Sequence, residues 1–453
     1  MSNREPITLP EKGLGPEKVL ELLKHFKKGD VDYKESRTWS LVYYLGEEHT
    51  RFLLEAMGMF LSENGLNPMA FQSLKRMEHE IVQMTAGMLH GDRNVVGMLT
   101  SGGTESCLLP VLAYRNLAES KKRLKPVQPE MIVPESIHVA WEKAAHYFKV
   151  KMVRAPLRSD FRVDVEAVKK LINRNTALIV ASAPSYPHGV IDPIEELGRL
   201  AEEHHLPFHV DSCLGGFFLP FMEKLGYQVP PFDFRVPGVT SISADVHKYG
   251  YSAKGASVLL YRNMDYMKHQ IFVSESWPGG VFASPGLLGT RPGGAFAAAW
   301  ATMMAMGWDG YLEQTKIVME TARALMEGIA SIPGLELMGQ PDMSVFGYRS
   351  TSPRLSIFAV GDQMEERGWH IDRLQKPDGL HAMVTPLHRR IVDRYLEDLR
   401  ESVEYVRENP SLALKGSAAT YGMISKVPLR GVVKNEVRKM MEKMYGPDME
   451  MPF

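Results

Sequence analysis

Ser241-Ile-Ser-Ala-Asp-Val-His-Lys-Tyr-Gly-Tyr-Ser-Ala-Lys-Gly255 is the stretch from which the chain is read outward. Val239 to Ile242 is a short β-branched run, which predicts a buried strand. The run stops at a polar cluster, Asp245, His247 and Lys248, followed by glycines and tyrosines. A strand end that delivers a lysine into a site fits this order. Desolvation disfavours an ammonium ion, and the same penalty makes a sheltered lysine a usable amine toward a carbonyl. A His-Lys pair at a strand end is the pattern expected for a lysine that holds pyridoxal phosphate as a Schiff base. A solvated loop lysine is the other reading of the dipeptide, and the rest of the chain decides between them.

The chain has 453 residues, 44% hydrophobic and 24% charged, an ordinary globular composition long enough for roughly two to four domains. A formal net charge of -1 gives no sign of a nucleic-acid partner. The two cysteines, Cys107 and Cys213, make no disulfide framework and are not spaced as a metal site, so a reducing, cytoplasmic compartment is expected. The polar N-terminus has no signal-peptide core, and no apolar run is long enough to span a membrane.

Residues 1–15 read as a loose arm, and 16–28 as a helix ending in cations. A loop near 30–46 carries Trp39, Tyr43 and Tyr44, which either line a pocket or staple the arm down. Residues 47–62 and 70–90 read as amphipathic helices joined by the turn Ser62-Glu-Asn-Gly-Leu-Asn-Pro68. Val95 to Thr100, Ser101-Gly-Gly103 and the apolar stretch to about 118 spell strand, glycine turn and helix. Free N–H groups at such a helix start form an anion site, and glycines let a phosphate approach the backbone. Pro110 should bend or shorten this helix.

Beyond it, strand-like and helical pieces alternate. Thr176-Ala-Leu-Ile-Val-Ala181 is an unbroken apolar strand, as in a sheet covered on both faces. Pro207-Phe-His-Val-Asp211 places Asp211 at a strand's carboxyl end, where an aspartate can keep a pyridine nitrogen protonated. His204, His205 and His209 lack metal spacing, and no metal site is expected. The Gly- and Pro-rich stretch 274–294 reads as a long functional loop. Residues 295–306 and 311–330 read as helices. The remainder reads as a smaller unit, with strands near 335–338, 344–348, 354–359 and 381–385, and helices near 363–368, 388–407 and 430–445. The alternation predicts a mainly parallel α/β fold with the ligand at the strand carboxyl ends. The expected units are an N-terminal arm with helices at 1–60, a large cofactor-binding domain at 61–310 and a small α/β domain at 311–453.

Ser101-Gly-Gly-Thr-Glu-Ser106, His138 with Lys143-Ala-Ala145, His209-Val-Asp-Ser-Cys-Leu-Gly-Gly216 and Ser241 to Tyr251 together resemble the sphingosine-1-phosphate lyases. These belong to the pyridoxal phosphate fold-type I group, which also holds the group II amino-acid decarboxylases. Pro187 to Pro193, Phe232 to Val236, Arg291-Pro-Gly-Gly294, Gly368-Trp-His370 and Tyr421-Gly-Met423 are similar too. The resemblance runs from about residue 40 to 445. It implies that Lys248 carries the cofactor, that Asp211 pairs with its ring nitrogen and that His138 stacks on its ring. Gly103, Thr104 and His247 would hold its phosphate. Thr290 matches a residue that reaches the phosphate from the neighbouring subunit, which implies a homodimer with the site at its interface. Lys254 matches a second active-site lysine, and Tyr44 and Asn67 match substrate-facing positions. The relatives' membrane anchor has no counterpart here, so a soluble, bacterial-type protein is expected.

One departure concerns the substrate. The lyases carry Asn-Pro-Leu-His where this chain has Asn67-Pro-Met-Ala70, so the imidazole that helps bind the substrate phosphate is missing. The turn before it is also about two residues longer. The expected activity is retro-aldol cleavage of a phosphorylated amino-alcohol lipid to a fatty aldehyde and phosphoethanolamine. Two rivals stand beside it: amino-acid decarboxylation, and a binding protein built on an inactive enzyme fold. Intact Lys248, Asp211 and His138 speak against the second rival.

Overall fold

A computed structural model of the chain describes residues 8–121, 128–426 and 430–446. The first seven residues of the expected arm and the last seven of the chain lie outside them. Three helices come first, α1 (Pro16–Phe26), α2 (Glu47–Met59) and α3 (Gln72–Met88). Seven strands then build the main sheet: β1 (Val96–Thr100), β2 (Glu130–Pro134), β3 (Lys151–Ala155), β4 (Thr176–Ser182), β5 (Phe208–Asp211), β6 (Ser241–Ala244) and β7 (Ser257–Tyr261). Their order is β1-β7-β6-β5-β4-β2-β3, and only β7 runs against its neighbours.

Both faces of this sheet are covered, as the unbroken apolar strands require. Along β2 and β4 alternate residues enter different cores. Met131, Val133, Leu178 and Val180 pack with Trp141, while Ile132, Ile179 and Ala181 pack with Phe208 and Phe218. The connecting helices are α4 (Gly103–Lys121), α5 (Val139–Phe148), α6 (Val165–Leu171), α7 (Ile194–Glu203), α8 (Leu219–Lys224) and α9 (Met264–Met267). Helix α4 is not shortened at Pro110. Buried Leu108, Leu109, Val111 and Ala113 hold both sides of the proline against the core, and that burial offsets the roughly 3 kcal/mol a helical proline costs.

The glycine-rich stretch contains a small hairpin, β8 (Phe272–Ser274) and β9 (Phe282–Ser284). Helix α10 (Gly293–Ala330) is broken at Gly307, whose φ of 54° and ψ of -171° are not helical. The two helices expected from the sequence are therefore the two halves of one broken rod, and the expected boundary at 310 falls just beyond the break. An antiparallel sheet follows, in the order β10 (Leu335–Leu337), β11 (Val345–Ser350), β13 (Gly379–Met383), β12 (Asp372–Leu374). It is covered by α11 (Ile357–Glu366), α12 (Val392–Glu408) and α13 (Gly416–Lys426), and α14 (Arg430–Met444) ends the described chain.

The strand expected at 354–359 is instead the start of α11. Ser356 caps it, its hydroxyl accepting from the Ala359 N–H. Ile357, Phe358, Ala359 and Val360 are all buried, and an apolar run of this length has no period that separates helix from strand. The loop aromatics divide their work. Trp39 is fully buried against Trp369, His388 and Tyr395, and its backbone bonds to His370 and Met383, so it staples the N-terminal segment to the small sheet. Among the described residues no helix is long and apolar enough to cross a membrane.

Large and small units meet at Gly189. Its φ of +69° is left-handed, and a Cβ there would lie 1.7 Å from the Val345 carbonyl oxygen. Arg162 braces the same seam, donating to both oxygens of Asp342 and to the Ile191 carbonyl. Gly189→Ala should destabilise the protein by about 3 kcal/mol or more, combining backbone strain with a clash against main chain. Urea unfolding of the two proteins measures this, and equal midpoints would contradict the packing described.

Candidate active site

The carboxyl ends of β4, β5 and β6, the start of α4 and the start of α5 converge on one cavity of about 230 Å³. Its walls include Gly103, Thr104, His138, Asp211, His247 and Lys248. Six of the sequence-nominated residues are thus brought together by four separate elements. Cys107, Tyr186, Cys213 and Asp245 complete much of the wall.

Asp211 ends β5, because the apolar strand stops where its side chain turns toward the cavity. Burial alone would raise its carboxyl, but donors overturn that and hold it below the ordinary carboxylate range. The Trp141 indole N–H donates to Oδ2 at 2.8 Å, and the Cys213 N–H and Ser243 hydroxyl donate to Oδ1 at 3.2 and 3.4 Å. Behind them His209 joins Ser241 and Ser243, its ring bonded to both hydroxyls. Burial pushes His209 down to about 3, so this imidazole stays neutral and relays hydrogen bonds, not charge. The result is an ionised, buried carboxylate with a face open to a cationic N–H.

Cys107 and Cys213 are far apart in sequence, yet their sulfurs lie within 4.8 Å of each other and of an Asp211 oxygen. Burial raises the Cys107 thiol to about 11, and its neighbour Cys107 raises Cys213 further, so both stay protonated. A metal needs thiolates, and the set instead donates weakly to Asp211 and Ser243.

Lys248 follows β6 in a tight turn. The sequence suggested that desolvation would leave it a free amine. Burial does push it down, but the Asp245 carboxylate 3.0 Å away pushes it up, and the net result is an ammonium ion above its usual range. Asp245 is itself buried, and a Cβ on Gly103 would come within 2.6 Å of its Oδ2. Lys254 behaves oppositely. It sits at the solvent edge, its Nζ donating to the His247 carbonyl at 3.3 Å and lying 5.1 Å from the Tyr43 ring centre. Burial, and then the Lys248 charge, push it down to about 8.

The remaining walls fit pyridoxal phosphate. Gly102 has a φ of +149°, and a Cβ on it would meet the His247 ring at 3.3 Å, so backbone alone can approach an anion at the head of α4. His138 caps α5 through Nδ1, which accepts from the Ala140 N–H, and burial holds its ring below the ordinary imidazole range. A neutral flat ring on one side and an ionised carboxylate at the floor suit a protonated pyridine.

Four nominated residues lie outside the cavity lining: Lys254, at its solvent edge, and Tyr44, Asn67 and Thr290. The Tyr44 hydroxyl donates to Glu47 on the surface, whereas its neighbour Tyr43 packs edge-on against Tyr249 and faces Lys254. Asn67 spends its carbonyl oxygen on the Met69 and Ala70 N–H groups. Thr290 is exposed, and its hydroxyl accepts from Asn64 at 3.3 Å. Reasoning from sequence noticed Asp245 in its polar cluster without giving it a role, and missed Trp141, Ser243 and Tyr186. Only Asp245 carried a signal, its place beside the His-Lys pair; the others reach the site through folding alone.

With cofactor bound, Asp211→Asn should lower turnover by about 10²–10³-fold, the usual loss for one preorganised charge that meets charge developing in a reaction. Ser243→Ala, which takes from Asp211 a 3.4 Å donor together with that hydroxyl's bonds to His209 and Cys213, leaves the carboxylate in place and should cost far less. Single-turnover kinetics on cofactor-saturated protein separate the two, and similar losses would mean that Asp211 is not the charged partner.

Residues 66–350 match the family described as pyridoxal-dependent decarboxylase conserved domain. A sphingosine-1-phosphate lyase of Arabidopsis thaliana is 47% identical over 445 residues, covering 96% of this chain and 81% of that protein. The structure of a sphingosine-1-phosphate lyase of Burkholderia pseudomallei superposes with a TM-score of 0.88 at 38% identity, covering 97% of both chains. A Lactobacillus brevis glutamate decarboxylase shares the fold, with a TM-score of 0.78 at 21% identity over 90% of this chain and 96% of that one. The chain therefore belongs to the sphingosine-1-phosphate lyases within the pyridoxal-dependent decarboxylase family.

Proposed function

We propose that this protein cleaves the Cα–Cβ bond of a phosphorylated long-chain amino alcohol of the sphingosine 1-phosphate type, releasing a fatty aldehyde and phosphoethanolamine. The carrying observation is the reach of the likeness. Identity to the lyase extends through 96% of the chain, small unit included, whereas the glutamate decarboxylase shares only the fold. Amino-acid decarboxylation is the rival, since the same cofactor breaks whichever Cα bond stands perpendicular to its ring.

Bound pyridoxal phosphate supplies a protonated ring that withdraws the electron pair freed at Cα. Lys248 is its attachment point, Asp211 the anion for its ring nitrogen and His138 the flat surface against its ring. Gly103, Thr104 and His247 hold its phosphate. Asp245 receives the charge of Lys248 whenever that amine is free. Lys254 takes the proton of the substrate's 3-hydroxyl. Of the two nominated amines it is the one pushed toward neutrality, because burial and the Lys248 charge outweigh the opposing pull of Asp245. As that proton leaves, the Cα–Cβ bond breaks, the aldehyde departs and Cα takes up a proton. Tyr43, under Lys254, orients the amine.

The partner we assign is a second copy of this chain. Phe52, Met59, Phe60, Trp300 and Met304 line an apolar groove of about 740 Å³ between α2, α3 and α10. Helix α1, amphipathic in sequence, buries none of its residues in the single chain. Thr290 stands exposed and outside its own cavity, as a residue serving the other copy would. The two buried, unpaired cysteines suit a cytoplasmic setting.

Incubation with sphingosine 1-phosphate should yield aldehyde, and comparison with the unphosphorylated base tests what Ala70 has changed. Turnover should rise as pH rises through about 8, because Lys254 must be neutral to accept a proton. Lys254→Met should remove that limb and cost about 10²–10⁴-fold. Carbon dioxide from amino acids with no aldehyde from either base would replace this activity with the rival. For the dimer, Lys248→Ala and Thr290→Ala copies, each impaired alone, should regain activity when mixed. No gain, with a solution mass near 50.9 kDa for the wild type, would leave the site within one chain.

A further inference from the structure

Tyr186 belongs to no motif that carries the chemistry, yet it walls the cofactor cavity. It sits in the tight loop between β4 and α7, which closes on itself through Ser185 N–H to Val190 and Gly189 N–H to Ser185. Every polar and stacking contact that fixes its outer side comes from the small unit. The ring stacks on His381 of β13, with centres 4.1 Å apart and planes 26° apart. The His381 Nε2–H donates to the Tyr186 carbonyl at 2.9 Å. The Tyr186 hydroxyl donates to Oδ2 of Asp372 on β12 at 2.8 Å. Asp372 and His381 are direct cross-strand partners, so one rung of the small sheet grips the residue at three points.

The inner side of the same ring meets His138, edge to face, at 6.3 Å and 77°. His138 is the ring to which the proposed function assigns the cofactor's face, and this inference rests on that assignment. We propose that Tyr186 is a positioning residue: the Asp372–His381 rung of the small unit sets its place, and Tyr186 sets the tilt of His138 and the width of the cofactor slot. His381 is fully buried and held neutral, so it serves as a flat donor, not as a charge. The hydroxyl-to-carboxylate bond is the one element of the grip that can be removed without changing the cavity wall, since Tyr186→Phe keeps the ring. This holds whichever Cα bond the enzyme breaks.

The test uses cofactor-free protein titrated with pyridoxal phosphate and followed by visible absorbance. Tyr186→Phe, Asp372→Ala and the double variant form a cycle. Each single change should weaken cofactor binding about three- to tenfold, in keeping with loss of one hydrogen bond to a charged group, and should shift the absorbance band. The double variant should be no worse than the poorer single one, because both remove the same bond. Unchanged titrations, or losses that multiply, would overturn the proposal. Should Tyr186→Phe fail to fold, Asp372→Ala, altered on an edge strand, still reads the same bond.

Discussion

A carboxylate buried at the end of β5 is the constraint to which the surrounding structure answers. Removing an ion of this size from water costs several kcal/mol, and it stays ionised only if donors meet it. Those donors come from separate elements: Trp141 from α5, the Cys213 N–H from the turn after β5, and Ser243 from β6. A shift in register between β5 and β6 would carry Ser243 to the other face, so the sheet and the site specify one another. The His209 relay to Ser241 and Ser243 tightens this, and neutral His209 adds no second charge to the floor.

Two lysines a few residues apart are driven in opposite directions by where one carboxylate lies. Asp245 lies 3.0 Å from Lys248 but is outweighed by burial and the Lys248 charge at Lys254, so the first is held charged while the second is held near neutrality. Environments that separate two like groups in this way mark which of them gives protons and which takes them. The geometry depends on Gly103, since any side chain there would strike Asp245 and close the head of α4. The head of α4 and the Lys248–Asp245 pair therefore share a single steric condition.

Much of this was legible in the chain itself. The apolar strands, the glycine turn before α4 and the strand-end Asp211 and Lys248 are local signals, and the fold kept each of them. Illegible were the contacts that join distant segments. Trp141 gives no hint in sequence that its indole will meet Asp211, nor Tyr186 that a cross-strand pair in the small unit will hold it. Tyr43 and Tyr44 are adjacent, and only backbone direction decides that the first faces Lys254. The helix at 357–366 was misread because an apolar run buried throughout loses its periodicity. Cys107 and Cys213 looked unrelated because their meeting depends on α4 packing across the end of β5.

The turn at 62–68 shows how residues near a site can act through support instead of contact. Asn64 accepts the Arg291 N–H and donates to Thr290, while Gly65 N–H bonds the Arg291 carbonyl and Gly293 N–H bonds Glu63. Arg291 in turn pairs with buried Glu78 and donates to the Leu99 carbonyl at the end of β1. The turn thus braces the loop that carries Thr290 and, through Arg291, ties it to β1, the strand that leads into the glycine turn before α4. Because Asn64 donates to the Thr290 oxygen, the hydroxyl proton remains free to be given elsewhere. Position 70 is an alanine, so what this segment offers the neighbouring loop is the Asn64 brace beneath the Thr290 hydroxyl.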